Sequence, residues 1–281
     1  MEHRTGSLIH GPNEELFWQA WRPESKPRGV VVLVHGYGEH SGRYPHVVET
    51  LVPEGFSVWA ADNRGHGRSF GIRGHVDQWG DFRTDLRHFL SLVGEQEPGI
   101  PLFLFGHSMG GLIVLDYVLH HPQGLAGVAV SGPALDQGAV NPLLILASRV
   151  LSRVAPRLAV KSGLDDEAVS RDPRVVADYR NDPLVHGMAT GRLGTEMART
   201  MKWVLAHAPE FSPPLFIIHG GADRLVAPET SAEFYHRVTL TDKQRNEYLG
   251  YFHETHNDTG WEKPVGDLAA WFSAHLPKAE K

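Results

Sequence analysis

The stretch Leu102-Phe103-Leu104-Phe105-Gly106-His107-Ser108-Met109-Gly110-Gly111-Leu112 decides how this chain is read. An apolar run breaks at a glycine, presents one serine, meets two more glycines and turns into a helical pattern. Residues 112–119 carry apolar side chains at helical spacing. A turn that joins strand to helix so abruptly crowds its own backbone, so small residues must flank the serine, and its hydroxyl is lifted clear of the sheet. The Gly-x-Ser-x-Gly pattern is weak by itself; the strand before it and the helix after it give it weight.

Composition sets the frame around that turn. A chain of 281 residues suits one catalytic domain plus an insertion, with a sizeable core. Hydrophobic content of 41% and charged content of 21% are ordinary for a globular protein. A formal charge of -6 and a pI near 6.3 argue against a nucleic-acid binder. With zero cysteines, disulfides, thiolate metal sites and cysteine nucleophiles are excluded, while the compartment stays open. Met1-Glu2-His3-Arg4 lacks the apolar core of a signal peptide, and no apolar run reaches membrane-spanning length. The expectation is a cytoplasmic protein without an integral membrane segment, peripheral at lipid surfaces at most.

Outward from the serine, the chain alternates strand and helix. Residues 15–22 read as an early antiparallel strand, and Gly29–Val34 as a β-branched strand buried on both faces of a parallel sheet. Residues 44–54 read as a helix ended by Gly55, with Pro53 a disturbance. Phe56–Ala61 is the next buried strand, and 81–93 a helix with Phe82, Leu86, Phe89, Leu90 and Val93 on one face. A strand follows the elbow helix at 125–131. Strand and helix then resume at 214–219, 231–238, 245–249 and 261–276. Such alternation builds a mostly parallel sheet covered by helices. Between 132 and about 209 the rhythm breaks into short helices and turns, which we read as a helical cap inserted into the core. Only the last few residues look frayed.

Taken together these stretches resemble the monoacylglycerol lipase family, close kin of the lysophospholipase-like serine hydrolases in the α/β-hydrolase superfamily. The resemblance is carried by His35-Gly36-Tyr37-Gly38-Glu39-His40-Ser41-Gly42-Arg43-Tyr44 and by Asp62-Asn63-Arg64-Gly65-His66-Gly67-Arg68-Ser69. It continues through the Gly106 to Gly111 elbow, Asp182-Pro183-Leu184-Val185-His186-Gly187, His219-Gly220-Gly221-Ala222-Asp223-Arg224-Leu225-Val226 and Tyr251-Phe252-His253. It implies an α/β-hydrolase fold with core segments at 1–132 and 210–281 and a helical cap at 133–209.

A serine hydroxyl is a poor nucleophile until a base removes its proton, and the base imidazole needs a carboxylate to hold one tautomer. In α/β-hydrolases these follow the chain order serine, acid, histidine. Ser108, Asp223 and His253 meet that order. Asp223 follows a strand at the carboxyl end of the sheet, where active sites gather. Asp242 and Asp258 remain weaker substitutes for Asp223, which could instead be only a turn-capping residue. His256 is the rival of His253. The oxyanion of acyl transfer needs backbone donors, one from Met109 after the nucleophile. The resemblance assigns the other to Tyr37. It also places Glu39, Arg43 and His256 at a polar end of the pocket that holds glycerol; the bland alternative is a Glu39–Arg43 ion pair that fixes the loop. Asp62, Arg64 and His66, with His35 and Gly36, read as loop architecture.

The cap carries Leu143, Leu144, Ile145, Leu146, Val150, Leu151 and Val154, followed by Arg149, Arg153, Arg157 and Lys161, with no acidic residue from 137 to 164. This composition suits an apolar, cationic face for lipid aggregates; packing on the core is the alternative. The expected activity is cofactor-free serine hydrolysis of monoacylglycerols to fatty acid and glycerol. The competing readings are a lysophospholipase or broad carboxylesterase, a peptidase of the same fold, and a non-catalytic ligand-binding protein. His253-Glu254-Thr255-His256 is not a zinc-protease spacing, so no metal is expected.

Overall fold

The computed structural model describes residues 1–136 and 142–277, apart from the side chains of Pro142 and Leu144. The start of the acid-free cap stretch at 137–141, those two side chains and the chain end at 278–281 lie outside the described residues.

In chain order the core opens with strands β1 (Glu2–Gly11), β2 (Glu14–Arg22) and β3 (Gly29–Val34), then helix α1 (Pro45–Leu51) and strand β4 (Phe56–Ala61). Helix α2 (Gly80–Gln96), strand β5 (Leu102–His107), helix α3 (Met109–His120) and strand β6 (Gly127–Ser131) follow. Next come helix α4 (Pro142–Val154), strand β7 (Ala159–Lys161), helix α5 (Pro173–Asn181), strand β8 (Met188–Thr190) and helix α6 (Gly191–His207), in the stretch expected to be inserted. Strand β9 (Leu215–Gly220), helix α7 (Pro228–Arg237), strand β10 (Lys243–Tyr248) and helix α8 (Glu262–Ala274) complete the fold.

Eight strands form one sheet in the order β1-β2-β4-β3-β5-β6-β9-β10, antiparallel only at β1/β2 and β2/β4. The continuous apolar strands bury both faces, as their composition requires. Val30, Val32 and Val34 of β3 face the layer of α2, α3 and α6, while Val31 and Leu33 face α1 and α8. Strand β3 has β4 on one side and β5 on the other, so the connections leave in opposite directions and open a crevice at the carboxyl ends.

Three expectations need correction. β1 is a strand the sequence reading missed, because an edge strand paired only with β2 shows little apolar patterning. The helix expected over 44–54 stops at Leu51: Pro45 opens it at the first turn, and the chain turns through 52–55 into the next strand. The inserted region is not only short helices and turns. It contains the 17-residue α6, which places Leu193, Met201 and Val204 in the main core, and a small β7/β8 ribbon.

Candidate active site

The elbow is built by contacts that exclude side chains. A Cβ at Gly106 would lie 2.5 Å from the Gly110 carbonyl oxygen, and one at Gly110 would collide with the carbonyls of Val34 and His35. Between them Ser108 adopts φ 53° and ψ −119°, a backbone state that costs a non-glycine residue about 1–3 kcal/mol. Three backbone hydrogen bonds hold it there. Ser108 N donates to Ser131 O at 2.9 Å, and Ser108 O accepts from Leu112 N at 3.1 Å and Ala134 N at 3.0 Å.

Asp223 sits in the turn after β9 and uses its two oxygens differently. Oδ1 accepts from the N–H groups of Leu225 and Val226 at 2.8 and 3.0 Å, which caps its own turn. Oδ2 accepts from His253 Nδ1 at 2.6 Å, with His219 Nε2 at 3.2 Å. Turn-capping and imidazole-holding thus coexist in one carboxylate. Burial alone would raise the Asp223 carboxyl, but His253 and His219 override it and hold it well below the usual carboxylate range. Burial likewise would depress His253, but Asp223 overrides it, and the imidazole sits above its ordinary value. Asp242 instead reaches His275, and Asp258 binds backbone near His253.

Ser108 and His253 line one cavity of about 230 Å³, together with Gly36, Tyr37, His107 and Glu39. Among the described residues no hydrogen bond joins Ser108 Oγ to His253. The backbone N–H groups of Tyr37 and Met109 have no partner among the described residues. Away from the serine the walls are mainly apolar, with Ile145 and Leu151 of α4, Leu193, Met197 and Met201 of α6, and Leu225 and Val226, and with Lys161, Asp165 and Asp166 also on the lining.

The polar end differs in detail from expectation. Glu39 lines the cavity, while Arg43 and His256 lie behind it, both buried. Glu39 Oε1 accepts from Gly36 N at 2.6 Å and Tyr44 Oη at 2.7 Å; Oε2 accepts from Arg43 Nε at 3.2 Å. Arg43 Nη2 forks onto both oxygens of Glu254, at 2.9 and 2.6 Å, under the Tyr179 ring. His256 stacks on Tyr44 at 4.6 Å with both ring nitrogens unpartnered among the described residues, and burial brings its imidazole down to about 3. Burial also pushes the Glu39 carboxyl up, helped by the nearby Glu254 charge. Burial would raise Glu254 too, but the Arg43 guanidinium holds it below its ordinary value.

Two cavity-lining residues were not anticipated. His107 Nδ1 donates to Ser131 O at 3.0 Å, and the ring packs 4.7 Å from the His253 ring, kept neutral by burial. Glu254 lines the cavity next to His253. The only sequence signal for Glu254 is a charge beside the proposed base; its partner Arg43 is 211 positions away.

The loop residues read as architecture act that way. Asp62 accepts from Ser41 N and Arg68 N at 2.8 Å each, His35 Nε2 accepts from Asn63 N at 2.8 Å, and Arg64 forks onto Asp85. The Asp182 to Gly187 stretch joins them: His40 Nε2 meets Asp182 Oδ2 at 2.8 Å, His186 N donates to Gly38 O at 2.8 Å, and His186 Nε2 meets Gly65 O at 3.1 Å. Gly38 has φ 76° and would press a Cβ to 2.5 Å from His186 O, so glycine is required there.

Comparison with known proteins agrees with this geometry. Residues 25–260 match the family model described as serine aminopeptidase, S33. A monoacylglycerol lipase of Mycolicibacterium smegmatis is 38% identical over 93% of this chain and 94% of its own length. The chain belongs to the monoacylglycerol lipase family. Human monoglyceride lipase is 29% identical over 89% of this chain and 84% of its own. The crystal structure of Paleococcus ferrophilus monoacylglycerol lipase superposes with a TM-score of 0.86 at 35% identity, covering 93% of this chain and 99% of that one. The fold is therefore that of an α/β-hydrolase, and family membership makes the chain a carboxylic ester hydrolase. The family model is named for a peptidase, whereas these relatives are lipases over nearly their whole length.

Proposed function

We propose that this protein hydrolyses monoacylglycerols to fatty acid and glycerol through Ser108, His253 and Asp223. The observation that carries the reading is one cavity with mainly apolar walls, Ser108 and the Asp223-bound His253 on its lining, and a hydrogen-bonded polar end. Because Nδ1 of His253 is committed to Asp223, Nε2 is the nitrogen left to take the serine proton. Ser108 Oγ attacks the ester carbonyl, and the N–H groups of Tyr37 and Met109 hold the oxyanion. Collapse expels glycerol, protonated by His253, and water then hydrolyses the acyl-enzyme by the same route in reverse.

Glu39 and Glu254 present oxygens to glycerol hydroxyls, and Arg43 keeps both in place from behind, with His256 stacked beneath. The Glu39–Arg43 pair is then both loop brace and part of the polar end. The core is divided as 1–132 and 210–281, with the cap at 133–209 and α6 packed into the core. On α4, Leu143, Leu146, Val150 and Val154 are exposed at 75, 59, 56 and 72%, and Arg149 and Arg153 are exposed beside them. That face supports transient contact with lipid surfaces. No helix among the described residues is long and apolar enough to cross a membrane.

The test is fatty-acid release from 1-monoacylglycerols of several chain lengths beside lysophosphatidylcholine and a short-chain ester, with Ser108→Ala in parallel. Ser108-dependent turnover that favours monoacylglycerol is expected. Equal or faster turnover of the other esters would replace it with a broad esterase, and no turnover of any would leave a binding protein or peptidase.

A further inference from the structure

Asp258 is wholly buried and carries the densest set of hydrogen bonds near the active site. Its Oδ1 accepts from Arg171 N at 2.7 Å, Thr259 N at 2.9 Å and Ser170 Oγ at 3.3 Å. Its Oδ2 accepts from Arg171 Nε at 2.9 Å and from Phe252 N, the residue before His253, at 2.7 Å. Ser170 and Arg171 belong to the inserted region, in the stretch after a 3-10 turn at Asp166–Ala168. The same stretch pairs with the histidine loop itself: His253 N donates to Ala168 O at 3.4 Å, and Glu254 N to Val169 O at 2.8 Å. Arg171 also donates to Thr259 O at 2.6 Å and lies 4.4 Å over the Tyr251 ring.

We propose that cap residues 168–171, locked through Arg171 to Asp258, are the device that positions His253, so that Asp258 and Arg171 are positioning residues for hydrolysis. This rests on the Ser108–His253–Asp223 reading above. The physical reason is the kind of loop His253 occupies. Its side chain is held at Nδ1 by Asp223, but its backbone and both flanking residues bond to the cap stretch or to Asp258. A buried carboxylate is stable only while its partners remain. The charge-assisted fork of main-chain and guanidinium donors therefore fixes Asp258, and Asp258 fixes Phe252. Small displacements of a reacting group cost about 100-fold per ångström, so this bracing acts on rate. It follows that the inserted region serves chemistry on every ester, including water-soluble esters too short to need its apolar face.

The test measures kcat and KM for p-nitrophenyl acetate and for a long-chain monoacylglycerol, with thermal midpoints, in Arg171→Ala, Ser170→Ala, Asp258→Asn and Ser108→Ala. Arg171→Ala is expected to lower kcat about 10-fold or more on both esters, with KM changed less than about threefold. Asp258→Asn should lower it further, and adding Arg171→Ala to it should cost little more, because both remove one device. If Asp258→Asn does not fold, Arg171→Ala and Ser170→Ala decide. Wild-type kcat on the acetate ester in both of these, or a loss confined to the long-chain substrate, would overturn the proposal. The two readings fail separately: full activity in Ser108→Ala removes the triad, whereas loss in Ser108→Ala with none in Arg171→Ala and Ser170→Ala removes only the positioning role.

Discussion

Ser108 is held by neighbours in sequence and by the sheet: glycines two positions away on either side, the Val34 and His35 carbonyls behind Gly110, and backbone bonds to Ser131 and Ala134. His253 is held by residues far along the chain. Asp223 is 30 positions away, Ala168 and Val169 come from the cap, and Asp258 joins the loop to Arg171 across 87 positions. The difference separates two kinds of precision. Ser108 is placed by steric exclusion inside a strand–turn–helix unit, which forms whenever that unit packs. His253 is placed by hydrogen bonds between elements, which exist only once the whole fold has assembled. Damage to the first should appear mainly as lost stability, and damage to the second as lost rate.

Several substitutions can break or sharpen this contrast. The two sides are one chemical unit at the reaction itself, so Ser108→Ala should lower kcat by on the order of 10⁶. Asp223→Asn should lower it by about 10⁴, through loss of the correct imidazole tautomer, with substrate binding little changed. Single-turnover kinetics would check both. A smaller effect is expected from Arg43→Ala, which strands Glu39 and Glu254 in a buried site and should destabilise the fold by about 3–5 kcal/mol in urea unfolding. On the serine side, Gly110→Ala should cost about 1–3 kcal/mol or more by forcing β3 from α3; a stable variant with only its rate reduced would contradict the steric account.

The pH profile tests the base alone. Since Asp223 raises His253 above the ordinary imidazole value of 6.5, protonation disables the base already above that pH. The acid limb of kcat/KM should therefore have its midpoint above 6.5, with activity lost as pH falls through it. In Asp223→Asn the residual activity should show a midpoint displaced to lower pH. The smallest effect is expected at the outer face of α4. Leu146→Ser with Val150→Ser should raise KM about 3–10-fold on micellar monoacylglycerol and leave a dispersed short-chain ester unaffected.

The same contrast explains what was legible beforehand. Strands β3 and β4 were read to the residue, because a strand buried on both faces writes itself as an unbroken apolar run. β1 was missed for the opposite reason, as an edge strand has few core positions to reveal it. Within the site, Ser108 announced itself through its glycines, and Asp223 and His253 through their places after strands and in the chain order. Glu254 did not, because its meaning lies in a guanidinium that the chain delivers 211 positions earlier. Asp258 reads in the sequence only as a spare acid, whereas its carboxylate accepts from Phe252 N beside the histidine.

The sequence alone determined the parallel α/β core, the elbow and the chain order of Ser108, Asp223 and His253, the proposed nucleophile, acid and base. Each depends on sterics and apolar periodicity that act within a few residues or one element. The tertiary structure alone decided that Arg43 stands behind Glu39 and Glu254, that α6 belongs to the core packing, and that the cap reaches under the histidine loop. Those arrangements are hydrogen bonds and ion pairs between distant segments, whose partners are chosen by topology and burial and leave no local pattern in the chain.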